Sequence, residues 1–442
     1  MIPLLDCLAS LGDQGEIYYQ KIRKQRIHLQ SRHPATTHFE EKEKMALRIY
    51  KGGRQAFLTL PCNMAPREVA RAVTDAMETA LPSPPLYSPS RAPRPPIPAP
   101  PGGWPLEQGV LHGDGYALID ALGQSTNAPH IHYQAEESIC TTRILNTNGL
   151  DVANTNTAWY MCPILKMPDS CAALYAFKAE NSYTPFPPSE LDELCRLHES
   201  AAVTAPVPGG KMKILLFEHA LDHVMVRLRE AVLGQNLHLS PLAHKLGQPV
   251  AAPCFSYFDH PRLDGFHHRR TFDDEGYPTC QRPIVEKGIL KQFIRGGAAT
   301  SDTWDETGGN GYKFNTIPNG IRATLPISDI DTPPTANVNT NYIAPGTTDY
   351  ATMVSMMDRG ILVFNFIGSH GGNGLNGDFS GTVGLGFYVE KGRIQGRVPP
   401  LTIAGNIYQM LKGIIAVEDR IHLTGHAYPR ILMDRVEIRT SG

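Results

Sequence analysis

The sequence predicts an α+β protein, with an N-terminal α+β domain followed by a β-rich C-terminal domain that has a curved, mostly antiparallel sheet or barrel-like core. Two observations carry this prediction. Short segments that read as strands are divided by Gly, Pro and Asn along most of the chain. One long stretch from Glu218 differs, because its apolar residues recur at three- and four-residue steps. That spacing is typical of an amphipathic helix about four to five turns long.

Length and local composition predict two domains. A chain of 442 residues is too long for a single hydrophobic core. The Pro- and Gly-rich run from Ala205 to Gly210 marks the junction, which gives an N-terminal domain at 1–205 and a C-terminal domain at 206–442. Within the first domain, eleven of the 25 residues at 81–105 are proline. Because proline fixes φ and lacks an N–H, this insert is expected to be an extended surface loop or linker, or else a polyproline ligand for an aromatic groove.

The first domain shows helical and strand patterns in alternation. Pro66 is placed to open a helix, and Asn148-Gly149 is a strong hairpin signal between two strands. The predicted helices lie in the segment before residue 26, from Pro66 onward, at 117–122 and at 189–194. The predicted strands lie at 26–30, 46–50, 56–60, 138–147, 152–155 and 171–179.

The second domain is predicted to be mostly strands. Apart from the helix that begins near Glu218, only 350–357 and 407–415 have a helical pattern. The predicted strands lie at 213–217, 283–294, 361–367, 382–390, 399–404 and 431–439.

Composition excludes several classes of protein. The net charge is −2 with 19% charged residues, which gives no electrostatic footprint for nucleic acid. No apolar run approaches the length of a membrane span, and the first residues lack a signal-peptide pattern, so we expect a cytoplasmic protein without a membrane partner. The eight cysteines contain no CxxC pair and are expected to be free thiols rather than disulfides or a zinc site.

The centre of the long helix has the outline of a zinc peptidase motif without its ligands. Such a helix carries His, Glu and a second His, because residues about one turn apart converge on one metal ion. Here Glu230 occupies the middle position, while Arg229 and Gly234 occupy the two outer positions. An arginine is not a zinc ligand and a glycine has no side chain. These three positions are therefore interpreted as a degenerate metal site.

Several short motifs follow the helix over roughly 190 residues of the second half. They are Phe272-Asp273-Asp274-Glu275-Gly276, Ile284 to Leu290, Gly377-Asp378-Phe379-Ser380, Glu390-Lys391-Gly392 and Leu401-Thr402-Ile403-Ala404-Gly405-Asn406. In their order and spacing they resemble the TldD/PmbA family, the metallopeptidase-like proteins once called modulators of DNA gyrase.

Two of these motifs, at 377–380 and 402–406, are similar to the PmbA (TldE) branch of the family. The TldD branch has HExxxH on the helix and a late cysteine as third zinc ligand, whereas this chain has no cysteine after Cys280. The resemblance therefore implies a non-metal, TldE-like subunit, with no catalytic residue, metal or cofactor of its own. Its expected partner is a TldD-like metallopeptidase subunit that holds zinc, and the heterodimer is expected to cleave unfolded or precursor peptides. The alternatives are a metal-independent peptide-binding homodimer without catalysis, or a hydrolase that uses an unrecognised nucleophile such as Ser369.

A glycine-dense loop from Ser369 to Gly377 is a candidate wall of the substrate channel, because glycine lets a backbone approach a ligand closely. The alternative is an ordinary long hairpin loop. The candidate channel residues are His370, Gly371, Gly372, Asn373, Gly374 and Asn376.

Other charged or titratable groups have a structural and a functional interpretation. His219 and His223 are one turn apart, as a metal pair would be, but they are more simply helix-surface or core histidines. The run His267 to Arg270 is expected to be a solvated basic loop, or a contact for an acidic peptide. The carboxylates of residues 273–275 fit either acid–base chemistry or a structural turn. Glu230 is expected to pair with Arg227 or with a neighbouring chain.

Overall fold

The computed structural model describes residues 2–30, 33–83, 109–167, 172–296, 309–313, 330–369 and 374–440. It has an α+β fold with mostly antiparallel sheets and a closed five-stranded barrel, so the predicted fold class is confirmed. Most of the proline-rich insert, from residue 84 onward, lies outside the described residues. No helix in the described ranges is long and apolar enough to cross a membrane.

The first half of the chain builds one antiparallel sheet. Its strand order is β4-β3-β2-β1-β5-β6-β7, and β8 also pairs with β6. The Asn148-Gly149 turn joins β5 to β6 as predicted: Gly149 has φ +92°, and Oδ1 of Asn146 accepts the N–H groups of Asn148 and Leu150 at 3.0 Å. The strands are β1 (Gln14–Gln30), β2 (His33–Lys51), β3 (Arg54–Leu60), β4 (Leu81–Pro82), β5 (Ile131–Asn146), β6 (Asp151–Lys166), β7 (Ala173–Tyr175) and β8 (Lys178–Glu180).

Among the described residues of the first half, four helices accompany this sheet. Pro66 opens the second of them as predicted, and the Glu68 carboxylate accepts the Ala65 N–H at 2.9 Å. The helices are α1 (Ile2–Leu11), α2 (Pro66–Glu78), α3 (Val110–Ser125) and α4 (Pro188–Ser200).

The second half is organised around the barrel. Strands pair in the closed order β9-β23-β19-β17-β16-β9, with β9 and β16 parallel and the other pairs antiparallel. Strand β18 pairs with β17 and β20 pairs with β23 outside the closed ring. The strands of this group are β9 (Gly210–Leu216), β16 (Arg359–Ile367), β17 (Asp378–Glu390), β18 (Arg393–Arg397), β19 (Leu401–Asn406), β20 (Ile414–Val417) and β23 (Ile431–Thr440).

Two smaller sheets and three helices complete the part of the second half that the structure describes. The larger sheet has the order β12-β11-β10-β15-β22-β21, and β13 pairs with β14. The strands are β10 (Tyr257–Asp259), β11 (Arg282–Glu286), β12 (Ile289–Leu290), β13 (Gly311–Tyr312), β14 (Thr335–Ala336), β15 (Asn341–Ile343), β21 (His422–Leu423) and β22 (Ala427–Tyr428). The helices are α5 (Glu218–Val232), α6 (Tyr350–Ser355) and α7 (Ile407–Lys412), and a 3-10 turn spans Gly234–Asn236.

The two faces of the barrel strands pack into two different hydrophobic cores. On β9, Ile214 and Leu216 join the core that includes the apolar face of α5. Leu215, between them, belongs to a second core that includes Leu194 and Leu197 of α4. This alternation follows from the two-residue period of a strand. The two halves of the chain therefore share a core, and the division between residues 205 and 206 stays a prediction.

Three element predictions were wrong in detail. Residues 171–179 do not form one strand, because β7 and β8 are separate short strands that pair with different parts of β6. Residues 283–294 do not form one strand either, because β11 ends at Glu286 and β12 covers only Ile289–Leu290. The helix predicted at 407–415 ends at Lys412, where Gly413 follows and the chain turns into β20.

Candidate functional site

Helix α5 lies against the barrel and presents the residues that the sequence singled out. It begins at Glu218, and the negative carboxylate of this residue interacts favourably with the positive end of the helix dipole. Its apolar face, including Leu221, Val224 and Leu228, is fully buried. The helix ends at Val232 after 15 residues, because Leu233 adopts extended backbone angles (φ −72°, ψ 134°). The observed length therefore lies at the lower limit of the predicted four to five turns.

The early end of α5 places Gly234 outside the helix. Its N–H donates to the carbonyl of Ile294 at 2.7 Å instead of continuing the helical ladder. A Cβ atom at this position would lie 3.1 Å from the same carbonyl oxygen. Residues 229 and 234 are therefore not one turn apart on a common helical face, and the backbone of a neighbouring segment fills the space beside Gly234.

Arg229 and Glu230 are both engaged by other groups. Burial disfavours the charge of Arg229, but the carboxylate of Asp222 and other nearby groups keep the pKa of its guanidinium above the ordinary value. The Glu230 carboxylate accepts a hydrogen bond from Asn236 Nδ2 at 3.2 Å, and the Glu230 carbonyl accepts from the same amide at 2.8 Å. Glu230 thus fastens the turn that follows the helix.

The donors at these three positions do not fit a zinc ion. Zinc in proteins takes thiolate, imidazole or carboxylate ligands. Arg229 offers a cation, Gly234 offers only backbone and Glu230 alone offers one carboxylate. Elsewhere in the described ranges, no group of three or more His, Cys, Asp or Glu residues is placed to hold a metal ion.

Arg227 connects α5 to both ends of the glycine-dense loop. Its Nη2 donates to the Ser369 carbonyl at 2.6 Å and its Nε donates to the Asp378 carbonyl at 2.8 Å. Its Nη1 also donates to the His223 carbonyl at 2.8 Å, and the guanidinium lies 5.0 Å from the centre of the Phe379 ring. Since these bonds reach residues before and after the loop, Arg227 fixes where the loop leaves and re-enters the barrel strands. Its role is thus loop anchoring, where the sequence had suggested pairing with Glu230.

The loop itself is described in part. Residues 370–373, which include four of the candidate channel residues (His370, Gly371, Gly372 and Asn373), lie outside the described residues. The carbonyl of Asn376 accepts from Asn406 Nδ2 at 2.8 Å, and that of Gly374 accepts from the Gly377 N–H at 3.1 Å. The described end of the loop is therefore a hydrogen-bonded turn against the start of α7.

Ser369 and His223 form a hydrogen-bonded pair between Oγ and Nδ1. Ser369 is fully buried. A nucleophile must reach its substrate, so this burial does not favour the interpretation of Ser369 as a catalytic serine. The pair instead adds a second link between α5 and the loop.

A buried ionic network surrounds the first turn of α5. Arg430 donates to Glu193 of α4 at 2.6 Å, and its Nε lies 3.6 Å from Glu218. Burial opposes the charge of Glu218, but the surrounding His422, His219 and Arg430 outweigh it and lower its pKa to about 2. The network therefore ties α4 of the first half to α5 of the second.

The two histidines of α5 belong to different surroundings. Burial lowers the pKa of His219, whose ring lies 4.7 Å from that of Tyr175. His223 bonds to Ser369, and Asp222 on the same helix pairs with His426 at 2.8 Å. These contacts support the interpretation of His219 as a partly buried histidine packed against an aromatic ring, and of His223 as a partly buried, hydrogen-bonded one.

The prediction of a solvated basic loop at 267–270 was wrong. His267, His268 and Arg270 are buried, and Arg270 pairs with Asp274. Only Arg269 pairs with an exposed partner, Asp264, at 2.9 Å. These residues are buried because the segment packs against the sheet of the first half, which is distant in the sequence.

The carboxylates at 273–275 support a structural turn. Asp273 accepts the N–H groups of Glu275 and Tyr277 at 3.0 and 2.9 Å, and Gly276 has φ +87°. Asp274 accepts from the Tyr18 hydroxyl at 2.8 Å. Because this cluster is fully buried and its oxygens accept structural hydrogen bonds, it joins the two halves of the chain.

Sequence reasoning missed the roles of Arg227, Asp222 and Arg430. The spacing of His223 and Arg227 places them on one helical face, but it does not indicate that Arg227 bonds Ser369 and Asp378, which lie more than 140 residues away. Nothing local indicates that Asp222 meets His426 or that Arg430 meets Glu193, since more than 200 residues separate each pair.

Residues 209–440 match the model of the PmbA/TldA metallopeptidase C-terminal domain. This chain belongs to the PmbA/TldD family. The predicted resemblance is thereby confirmed. The family match covers the barrel and α5, and of the ionic network it includes Glu218 and Arg430 but not Glu193 of α4.

Curated relatives agree with this assignment. A metalloprotease PmbA homolog from Haemophilus influenzae is 28% identical over 247 residues, which are 55% of this chain and 48% of that protein. A metalloprotease from Methanothermobacter thermautotrophicus is 22% identical over 318 residues, which are 68% of this chain and 63% of that protein. The chain thus matches about half to two thirds of the length of these PmbA/TldD relatives.

Solved structures share the whole fold. The crystal structure of TldE from Thermococcus kodakarensis superposes with a TM-score of 0.84 at 20% identity and covers 100% of both chains. A Thermotoga maritima structure gives a TM-score of 0.83 at 19% identity and covers 99% of both chains. At this identity the likeness shows that the first half, which the family model does not reach, also has the fold of these structures.

Proposed function

We propose that this chain is the non-metal, TldE-like subunit of a heterodimeric TldD/TldE-type zinc metallopeptidase that cleaves unfolded or precursor peptides. The zinc ion belongs to the TldD-like partner in this proposal. This chain helps to form the chamber and admits extended substrates. It contributes no catalytic residue and works in the cytoplasm.

The observation that carries the proposal is the geometry at the end of α5. Arg229 is not a zinc ligand, and Gly234 lies beyond the helix with its N–H committed to the Ile294 carbonyl. A single histidine substitution cannot restore a chelating pair there, because the backbone path differs from that of a continuous helix. A chain with this arrangement fits a supporting subunit better than a metal-bearing one.

An open strand edge supports the admission of extended peptides. Strand β2 pairs with β1 along nearly its whole length, but β3 covers its other edge only from Met45 to Lys51. Among the described strands, none pairs with that edge at residues 36–44. Main-chain hydrogen bonds from a sheet edge tolerate many side chains, which suits a peptidase that accepts unfolded segments.

The test is co-expression of this chain with a homologue that carries HExxxH, followed by native mass spectrometry, zinc analysis and a peptide-cleavage assay. We expect a one-to-one complex that holds zinc and cleaves peptides, while this chain alone holds no stoichiometric zinc. A partner in which the glutamate of HExxxH is replaced by glutamine is the matched control, because it should assemble without cleaving.

Two results would contradict the proposal. A stable zinc-free self-dimer that binds peptide and ignores the HExxxH homologue would favour a metal-independent peptide-binding homodimer. Cleavage by this chain alone that survives chelation would overturn both the heterodimer and the homodimer.

A further inference from the structure

Segment 309–313 connects the two halves of the chain. Its strand β13 pairs with β14 of the second half. Its last residue, Lys313, reaches the sheet of the first half, where its Nζ lies 4.4 Å from the centre of the Phe57 ring and 5.0 Å from that of Tyr18. The placement of this short segment therefore affects the contact between the halves.

Asp259 of β10 holds this segment in place. Its side chain is fully buried, and its Oδ2 accepts a hydrogen bond from the side-chain amide of Asn310. Its Oδ1 accepts the N–H of Thr340 at 3.0 Å, and Asn310 Nδ2 also donates to the carbonyl of Asn337 at 3.0 Å. One carboxyl group thus joins β10, segment 309–313 and the turn before β15.

The carboxyl group of Asp259 has no ion-pair partner among the described residues, although Arg282 stands opposite it on β11. The other titratable groups that face it are the hydroxyls of Tyr257 and Tyr312. Burial raises the pKa of both hydroxyls, so they stay neutral. A buried carboxylate without a cationic partner is unfavourable relative to its protonated form.

Asp274 shows the difference that a cation makes. It is equally buried, and burial opposes its charge, but its partner Arg270 keeps the pKa of this carboxyl below its ordinary value. Burial raises the pKa of Asp259 to about 7, despite the hydrogen bonds from Thr340 and Asn310. Asp259 therefore gains or loses a proton near neutral pH, where Asp274 stays ionised.

We propose that Asp259 is a proton-operated latch for segment 309–313, closed when the carboxyl group carries its proton and loosened when the group is ionised. An ionised Asp259 regains water only if the side chain of Asn310 moves away, so ionisation favours local opening of the segment. Opening also withdraws Lys313 from the first-half sheet. The contact between the two halves of the chain thereby depends on pH.

The direction of this dependence follows from proton linkage. The pKa of about 7 in the closed state lies above that of a solvated aspartate, about 3.9, so the closed state binds the proton more tightly. The latch is therefore strongest below about pH 4, and the opening equilibrium rises by up to about tenfold for each pH unit until about pH 7.

Two other groups of this region titrate. Burial, together with Glu275, raises the pKa of Asp273, which therefore acts in the same direction as Asp259. Burial lowers the pKa of Lys313 to about 8, so Lys313 affects opening only above that pH. Below pH 8, substitution of Asp259 therefore isolates its share of the effect.

The test is hydrogen exchange of the full chain, read by mass spectrometry at about pH 5 and about pH 7, with rates corrected for the intrinsic effect of pH on amide exchange. Peptides that contain 309–313 are expected to lose at least about tenfold in protection between the two pH values. Peptides from the buried face of α5 are the internal reference and should remain protected at both, because the opening is local.

Three variants separate the latch from other effects. Asp259→Asn keeps the shape of the side chain and removes its titration, so it should reduce the loss of protection at least about threefold. Asp264→Asn is the matched control, because the Asp264 side chain is 90% exposed, and it should behave like the unsubstituted chain. Asn310→Ala removes the group that the carboxyl holds and should lower the protection of the segment already at about pH 5. A thermal melt of each protein confirms folding.

Equal protection of 309–313 at both pH values in the unsubstituted chain would overturn the inference. So would an undiminished loss in Asp259→Asn, or unchanged protection at the lower pH in Asn310→Ala. Because the experiment uses neither partner nor zinc, none of these results bears on the heterodimer proposal.

Discussion

The guanidinium of Arg227 donates to the carbonyl of Ser369 at 2.6 Å. This bond links α5 to the end of β16, where the glycine-dense loop begins, and a second bond reaches the carbonyl of Asp378 where the loop ends. One side chain thus holds both ends of the loop, beside the pairing of β16 with β17 and the bond between His223 and Ser369. Arg227, which the sequence had suggested would pair with Glu230, therefore helps to position that loop.

Arg227→Ala is expected to lower the free energy of unfolding by about 3 kcal/mol, because it removes charge-assisted hydrogen bonds to three buried or half-buried carbonyls. Urea unfolding measures this loss. Arg71→Ala on the exposed face of α2 is the control and should change stability by less than about 0.5 kcal/mol. Equal effects of the two substitutions would show that Arg227 does not anchor the loop.

Arg270→Ala is expected to destabilise the protein by about 3–5 kcal/mol, since it leaves the buried carboxylate of Asp274 without its cationic partner. The neighbouring Arg269→Ala provides a matched control. Arg269 pairs with Asp264, whose side chain is 90% exposed, so this substitution should cost less than about 1 kcal/mol. Thermal or urea unfolding compares the two. If both substitutions left the free energy of unfolding nearly unchanged, the segment would be solvated, as its sequence had suggested.

Glu218 is expected to make stability depend on pH in the acid range. Its folded pKa of about 2 lies below that of an unfolded glutamate, about 4.3, so its stabilising effect is complete above the unfolded value. The effect is lost as the pH falls from about 4.5 towards 2. With ~1.4 kcal/mol for each pKa unit, the loss is on the order of 2–3 kcal/mol.

Glu218→Gln removes this titration and should flatten the dependence of the unfolding free energy on pH between about 4.5 and 2. Glu230→Gln is the comparison, because it lies on the same helix outside the network of Arg430 and Glu193. Urea unfolding at several pH values provides the measurement. An unchanged slope in the Glu218 variant would contradict the assigned role of the ionic network.

The double substitution Arg229→His with Gly234→His is expected not to create a stoichiometric zinc site. The helix ends before residue 234, and a Cβ there would lie 3.1 Å from the carbonyl oxygen of Ile294. Zinc content after dialysis and the thermal midpoint of unfolding are the measurements. Arg229→His alone is the control for non-specific histidine binding. One tightly held zinc per chain in the double variant would show that the chain can close a zinc-binding turn here.

The sequence predicted much of the fold and less of the site. The hairpin at Asn148-Gly149 and the helix that opens at Pro66 could be predicted, because each depends on the conformational preferences of a few adjacent residues. The burial of His267 and Arg270 could not, because an adjacent pair of histidines and a pair of arginines is read as solvated unless a distant sheet covers it.

By itself the sequence determined that α5 is an amphipathic helix and that its two outer motif positions carry Arg229 and Gly234, since side-chain identity and helical period are local properties. Only the tertiary structure decided that this helix ends at Val232 and that Arg227 fastens the loop. The physical reason is that these contacts join residues far apart in the sequence. The N–H of Gly234 donates to the carbonyl of Ile294 instead of to a helical carbonyl, and no pattern within a few residues encodes such a partner. Strand pairing between β9 and β16, which lie even farther apart along the chain, closes the barrel. Helix α5 packs its apolar face into the core on one side of these strands.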